Sequence, residues 1–173
     1  MAYMITMKEG NLLNEESATF IVNSSNTRLL LGSGVSMAFK RHCGLKLQEE
    51  MTQKYKSLDI FLQKGDVVAT SAANATNFEY ALHVATMDYN PGLRGAEKDP
   101  TLESVKLSLY NIESYIKWYA ENKSRTKRCK LVLPMMGCGV GKLNKVDVLN
   151  IYEDFFKREV DFQCEVVIYD RNF

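Results

Sequence analysis

Along this chain the spacing of apolar residues switches repeatedly between a period of two and a period of three to four. Tyr3–Lys8 alternates and predicts a first strand. Thr19–Asn23 (TFIVN) is β-branched and aromatic, which suits a buried strand. A polar run, Asn23–Arg28, follows, then Leu29–Leu31 and Gly32-Ser33-Gly34. Val35, Ala38, Phe39 and His42 then fall at i, i+3, i+4 and i+7, the buried face of a helix. Gly44 interrupts it, and Leu47, Met51 and Tyr55 carry a second helical piece.

Asp66–Thr70 (DVVAT) and Tyr80–Thr86 (YALHVAT) read as strands, joined by a small, polar turn at Ser71–Asn77. Asp88–Pro100, with Pro91-Gly92 and Gly95, reads as a loop. Thr101 opens the longest periodic segment, whose stripe is Leu102, Val105, Leu109, Ile112, Ile116 and Tyr119. A basic run, Lys123–Lys130, precedes a short apolar strand, Lys130–Pro134. Asn144 suits the cap of a last helix with a buried face of Val146, Leu149 and Phe156, and Glu165–Tyr169 is a last strand. Strands alternating with helices predict a three-layer α/β sandwich around a largely parallel sheet, one domain over residues 1–173.

Two loops carry the candidate chemistry. One follows the strand at Thr19–Asn23 and leads into a helix; the other, Gly137–Gly141 (GCGVG), has the same setting. In open α/β sheets, ligands bind beyond the carboxyl ends of the strands. A helix N-terminus offers free N–H groups and partial positive charge, and glycine lets the backbone approach a phosphate closely. Four or five charge-assisted N–H contacts, at about 1.5–3 kcal/mol each, would hold a diphosphate at micromolar strength without a dedicated cation. A dinucleotide fingerprint is excluded: Met37 occupies its third glycine position, and eight residues separate Asn23 from Gly32.

Composition narrows the classes further. The formal net charge is +1, so no broad field steers the chain to DNA or an anionic membrane. The four cysteines, Cys43, Cys129, Cys138 and Cys164, have no metal-ligand spacing and read as free thiols in a reducing cytoplasm. No metal and no cofactor is expected.

VNSSN (Val22–Asn26), then LLLGSGVSMAFKRHCG (Leu29–Gly44), resembles the macrodomain signature V-N-A-A-N, L-x-G-G-G-V-A-x-A-I, G. LPMMGCGVGKL (Leu133–Leu143) resembles the family's second loop, and KEGNLL (Lys8–Leu13) sits where the family has K-G-D-[IL]. The resemblance spans almost the whole chain. It implies a three-layer α/β/α sandwich around a mixed, largely parallel six-stranded sheet. It also implies a ligand of the ADP-ribose class: ADP-ribosylated protein, O-acetyl-ADP-ribose or ADP-ribose-1″-phosphate. By position, Asn26 would meet the distal ribose, and Gly32, Ser33, Gly34 and Val35 the phosphates and distal ribose. Gly137, Cys138, Gly139, Val140, Gly141 and Lys142 would wrap the diphosphate from the other side. Leu12 would flank the adenine, with Tyr169 and Asp170 covering it.

The departures from the pattern bear on chemistry. The adenine-reading aspartate is replaced by Asn11. The aspartate of hydrolytic members is replaced by Ser36, and a second hydrolytic branch's lysine and aspartate fall near Thr86 and at Gly141. Without these groups the chain reads first as a binding module. An ADP-ribosyl hydrolase or ADP-ribose-1″-phosphate phosphatase, acting through substrate-assisted water attack with Asn26 as the sole carried-over catalytic residue, is the second reading. A poly-ADP-ribose or RNA binder using Lys123–Lys130 is the third. His42 and His83 read as packing histidines, and Cys138 as a small filler rather than a nucleophile.

Overall fold

The computed structural model describes residues 2–171. Six strands form one sheet in the order β1-β6-β5-β2-β4-β3. They are β1 (Tyr3–Glu9), β2 (Ala18–Asn26), β3 (Val67–Ser71), β4 (Phe78–Met87), β5 (Arg128–Pro134) and β6 (Gln163–Asp170). All neighbours are parallel except β3 with β4, so the sheet is mixed and largely parallel, as the sequence predicts.

Single-residue alternation along the central strands divides the core in two. Phe20, Val22, Leu131, Leu133, Val166 and Ile168 face α3 (Leu102–Asn122) and α4 (Lys145–Phe156). Ile21, Val132 and Val167 face α1 (Val35–Cys43) and α2 (Leu45–Lys56). Both faces are buried, as parallel strands under helical layers require. No helix among the described residues is long and apolar enough to cross a membrane.

Capping explains the helix starts. Thr101 Oγ1 accepts from Ser104 N at 3.0 Å while Ser104 Oγ accepts from Thr101 N at 2.9 Å, a reciprocal box. Asn144 Oδ1 accepts from Val146 N at 2.8 Å, as expected of the cap. That cap turns Val146 outward, where it is 65% exposed; the buried face of α4 is Val148, Tyr152, Phe155 and Phe156, with Leu149 only half-buried.

Other boundaries also move. β2 runs on through Ser24, Ser25 and Asn26, predicted as loop, because Ser24 and Asn26 pair with β4 on either side of a register shift. The Asp88–Pro100 loop contains a short 3-10 turn, Gly95–Lys98. His42 is not on a buried face: it is exposed, and its Nε2 bonds Asn77 Oδ1 at 2.7 Å. Leu102 is likewise exposed and Tyr119 half-buried. The basic run splits, since Arg128–Lys130 belong to β5 and Lys130 Nζ lies 2.6 Å from Glu15 Oε2. It therefore opens β5 at the end of the sheet away from the glycine loops, with its last cation already paired.

Candidate functional site

The site grows from the carboxyl ends of β2, β4, β5 and β6. β2 delivers Ser24, Ser25 and Asn26, and the chain then turns back on itself before α1. Asn26 holds that turn: its Oδ1 accepts from Arg28 N at 3.0 Å and Leu30 N at 3.2 Å, and its Nδ2 donates to Leu30 O at 2.9 Å. Gln48 of α2 clamps the next residues, accepting from Leu31 N at 2.7 Å and donating to Leu29 O at 3.0 Å. Leu29 itself is fully buried at a φ of 54°, a conformation leucine keeps only under such constraint. Gln48→Ala is expected to speed amide exchange at Leu29 and Leu31 by local opening, with global stability down by only about 1 kcal/mol. Unchanged exchange there would show that the clamp is not what orders the turn.

α1 starts at Gly34, with φ 61° and ψ −129°, and no side chain caps it. Its first-turn amides, Val35 and Ser36, thus have no partner inside the helix. The second loop is shaped from below by Tyr152, buried, whose hydroxyl donates to Pro134 O at 2.6 Å and accepts from Met136 N at 2.9 Å. Within that loop Leu143 N donates to Gly137 O at 2.8 Å and Lys142 N to Gly139 O at 3.1 Å, so the amides of Gly139, Val140 and Gly141 stay outside the loop's own bonding. Gly141 is required by crowding: a Cβ there would sit 2.5 Å from Pro100 Cγ and 2.7 Å from Gly137 O.

The two loops face one cavity of about 510 Å³. Of the residues singled out from sequence, Asn26, Gly32, Ser33, Gly34, Val35, Gly137, Cys138, Gly139, Val140, Gly141, Tyr169 and Asp170 line it. Three do not. Leu12 is buried in the core, 2% exposed. Lys142 points to solvent at a φ of 64°. Asn11 lines an adjoining recess instead, its Oδ1 taken by Leu13 N at 3.0 Å. The wall also includes residues that the sequence does not assign to ligand contact: Ser24, Ser25, Leu30, Thr86, Tyr89, Lys145 and Arg171 among them. Ser24 and Ser25 lie within VNSSN and Leu30 within the Leu29–Gly44 motif; Thr86, Tyr89, Lys145 and Arg171 come from elements whose convergence no local pattern reports.

The floor is hydroxylic and uncharged. Ser24 Oγ and Thr86 Oγ1 bond at 2.9 Å. Ser25 Oγ is buried without a hydrogen-bond partner among the described residues. Ser36 Oγ donates to Asn23 Oδ1 at 3.1 Å. Asn23 Nδ2 lies 3.0 Å from His83 Nδ1, and His83 Nε2 lies 2.7 Å from Thr70 Oγ1. Thr70 donates to Ser71 O, so it must accept from His83 Nε2–H; this sets the tautomer, and Nδ1 accepts from Asn23. Burial pushes the His83 imidazole down to about 3, so it stays neutral. His83 is a packing histidine, as predicted, and its row of hydrogen bonds commits the Ser36 proton inward.

Among the described residues, no group on the wall is poised as a base or nucleophile. Asp170 is the one carboxylate among the described residues that line the cavity, and its Oδ1 is 2.8 Å from Lys145 Nζ. Burial pushes the Cys138 thiol up to about 11, with Lys145 offsetting only part of that. Tyr169 spends its hydroxyl on Glu15 Oε1 at 2.7 Å and is pushed up to about 12, by burial first and then by that carboxylate.

The Macro domain family model matches residues 22–152. The chain belongs to the macro domain family. This macrodomain is 28% identical over 160 residues to an uncharacterised protein of Aquifex aeolicus (strain VF5), covering 91% of this chain and 85% of that one. Its fold is similar to that of an Oceanobacillus iheyensis macrodomain mutant with ADPR: TM-score 0.71 at 19% identity, over 95% of this chain and 84% of the other. It is also similar to a Trypanosoma brucei macrodomain in complex with ADP-ribose: TM-score 0.65 at 19% identity, over 94% and 63% of the two chains.

Proposed function

We propose that this macrodomain binds ADP-ribose or a derivative of it, with the diphosphate held between the first turn of α1 and the 137–141 loop. The observation that carries this reading is the pair of backbone N–H sets, Val35–Ser36 and 139–141, facing one cavity at the strand ends. Each set is an anion site by helix dipole or by loop geometry. The O. iheyensis and T. brucei macrodomains, solved with ADPR and with ADP-ribose, support the ligand class. Tyr169 presents its ring to the wall, and the remaining Asn26 Nδ2 hydrogen and the unpartnered Ser25 hydroxyl suit sugar hydroxyls.

Binding is favoured over turnover, because a positioned base typically contributes about 10²–10⁴-fold and no wall group fills that role. In calorimetry ADP-ribose is expected to bind in the micromolar range and AMP at least tenfold more weakly. ADP-ribose that fails to bind at millimolar concentration sinks the proposal. Incubation with mono-ADP-ribosylated protein and with O-acetyl-ADP-ribose is expected to release no free ADP-ribose; release that is lost in Asn26→Ala would establish the enzyme instead.

A further inference from the structure

The two edges of the sheet differ in how they are covered. β3, five residues long, spends its outward groups on side chains: Val67 O accepts from the Tyr115 hydroxyl at 3.3 Å, and Ser71 N donates to Glu50 Oε1 at 2.8 Å. β1, seven residues long, forms the other edge and pairs with β6 alone. Its parallel ladder fixes which backbone groups face β6. Ala2 O accepts from Cys164 N at 3.2 Å and Gly10 N donates to Asp170 O at 3.4 Å, so the even-numbered residues between them bond β6. Ile5, Met7 and Glu9 therefore turn their N–H and C=O groups outward, where among the described residues nothing meets them.

Proteins ordinarily blunt such an edge with a short strand, a bulge, a proline or a charge. Residues 4–7 carry none of these: their register with β6 is unbroken, and Met4, Ile5, Thr6 and Met7 are exposed and uncharged. Ile5 and Met7 lie on the face where Tyr3 packs against Phe156, so they carry the margin of the core into solvent. The strand is also complementary to itself. Turned about a two-fold axis at Thr6, it sets Ile5 opposite Met7 of the second copy, and Met4 opposite Lys8. The Ile5 and Met7 pairs then fall at hydrogen-bonded positions of an antiparallel ladder, because both residues face outward. Registers centred on Lys8 or on Glu9 would set like charges face to face.

We propose that β1 pairs antiparallel with β1 of a second copy of this chain, about a two-fold axis at Thr6, so that two six-stranded sheets become one. Pairing satisfies the outward backbone groups of both copies and covers Ile5 and Met7 of each. One strand offers less than the roughly 800 Å² per partner of a standard interface, so the dimer is weak and depends on concentration.

Sedimentation equilibrium across the micromolar range is expected to show a reversible shift from one chain to two. Ile5→Lys, at an exposed position, should weaken the dimer by about tenfold or more while the thermal melt stays unchanged. Combining Ile5→Lys with Met7→Glu should restore it to within about threefold of the parent, because opposite charges then face each other across the axis. Amide exchange gives a second readout: at dimer-forming concentrations the Ile5 and Met7 amides slow, whereas those of Met4 and Thr6, held by β6, do not change. A chain that stays monomeric at millimolar concentration overturns the proposal. So does a dimer that survives Ile5→Lys, since its interface lies elsewhere. Loss of the dimer without recovery in the double variant overturns the antiparallel register and the pairing with it.

Discussion

Gly34→Ala is expected to cut ADP-ribose affinity by about 10–100-fold while leaving the fold in place. Gly34 sits at φ 61° and ψ −129°, a region that L side chains rarely adopt, at a cost of about 1–3 kcal/mol. A Cβ there meets no atom within 4 Å, so packing does not oppose the change. Relief of the strain must come from rotating the peptide that aims the first-turn amides of α1. Those amides are the part of the proposed phosphate site with no other cap. Titration calorimetry and a thermal melt separate the two effects: affinity falls steeply and melting only slightly. Full affinity in the variant would take the phosphate away from the α1 N-terminus. Gly141→Ala is a poorer test of the same idea, because its Cβ would collide with Pro100 at 2.5 Å and displace the loop itself.

The second large effect is on stability. Glu15 is 7% exposed, with Lys130 Nζ at 2.6 Å, Lys8 Nζ at 2.7 Å and the Tyr169 hydroxyl at 2.7 Å. It ties the segment before β2 to β5 and to the cavity wall at Tyr169. Burial raises its pKa, but the hydrogen bonds from Lys130, Lys8 and Tyr169 outweigh burial and hold the carboxyl at about 2. Lys8 is 45% exposed and its share is screened; Lys130, at 17%, carries most of the effect. Glu15→Gln leaves that ammonium without its counter-charge and is expected to destabilise the protein by about 3 kcal/mol.

The pH dependence follows from the signs. A depressed carboxylate stabilises the fold above its unfolded value, near 4.5, and loses that contribution as pH falls toward about 2. His83, depressed from 6.5 to about 3, also acts in acid, but its loss begins below 6.5. Urea melts from pH 7 to pH 2.5 should therefore show stability falling from below about 6.5 and falling more steeply below about 4.5. Glu15→Gln should remove the steepening and keep the fall that begins below 6.5; a variant that still steepens below about 4.5 would show that Glu15 does not titrate as its contacts require.

Much of this architecture was legible because burial imposes a periodicity. Phe20, Ile21 and Val22 send alternate side chains to opposite faces, and a short run that is apolar at every position and rich in β-branched and aromatic residues suits a strand covered on both sides. The stripe Val105, Leu109, Ile112 and Ile116 likewise needs only the helical repeat. Pattern alone fails where a residue's partners lie elsewhere in the fold or where a cap sets the phase of a helix. Ser24–Asn26 look like loop residues until β4 pairs with them, and Val146 looks like core until the Asn144 cap sets the phase of α4. His42 shares its phase with Phe39 yet lies beyond the edge of the sheet's cover, bonded to Asn77.

The same division runs through the glycine-bearing loops. Their residue types were sufficient on their own to mark two backbone segments able to present free amides, since glycine conformations and helix starts are local properties. That they face one cavity was decided by the parallel order β6-β5-β2-β4, which brings four strand ends together. Only packing could show that Asn26 spends most of its carboxamide on Leu30 and Arg28, that Leu12 lies in the core, and that the Ser36 proton turns inward to Asn23. Those are choices among partners brought together by the fold, and a side chain's sequence neighbours do not record them.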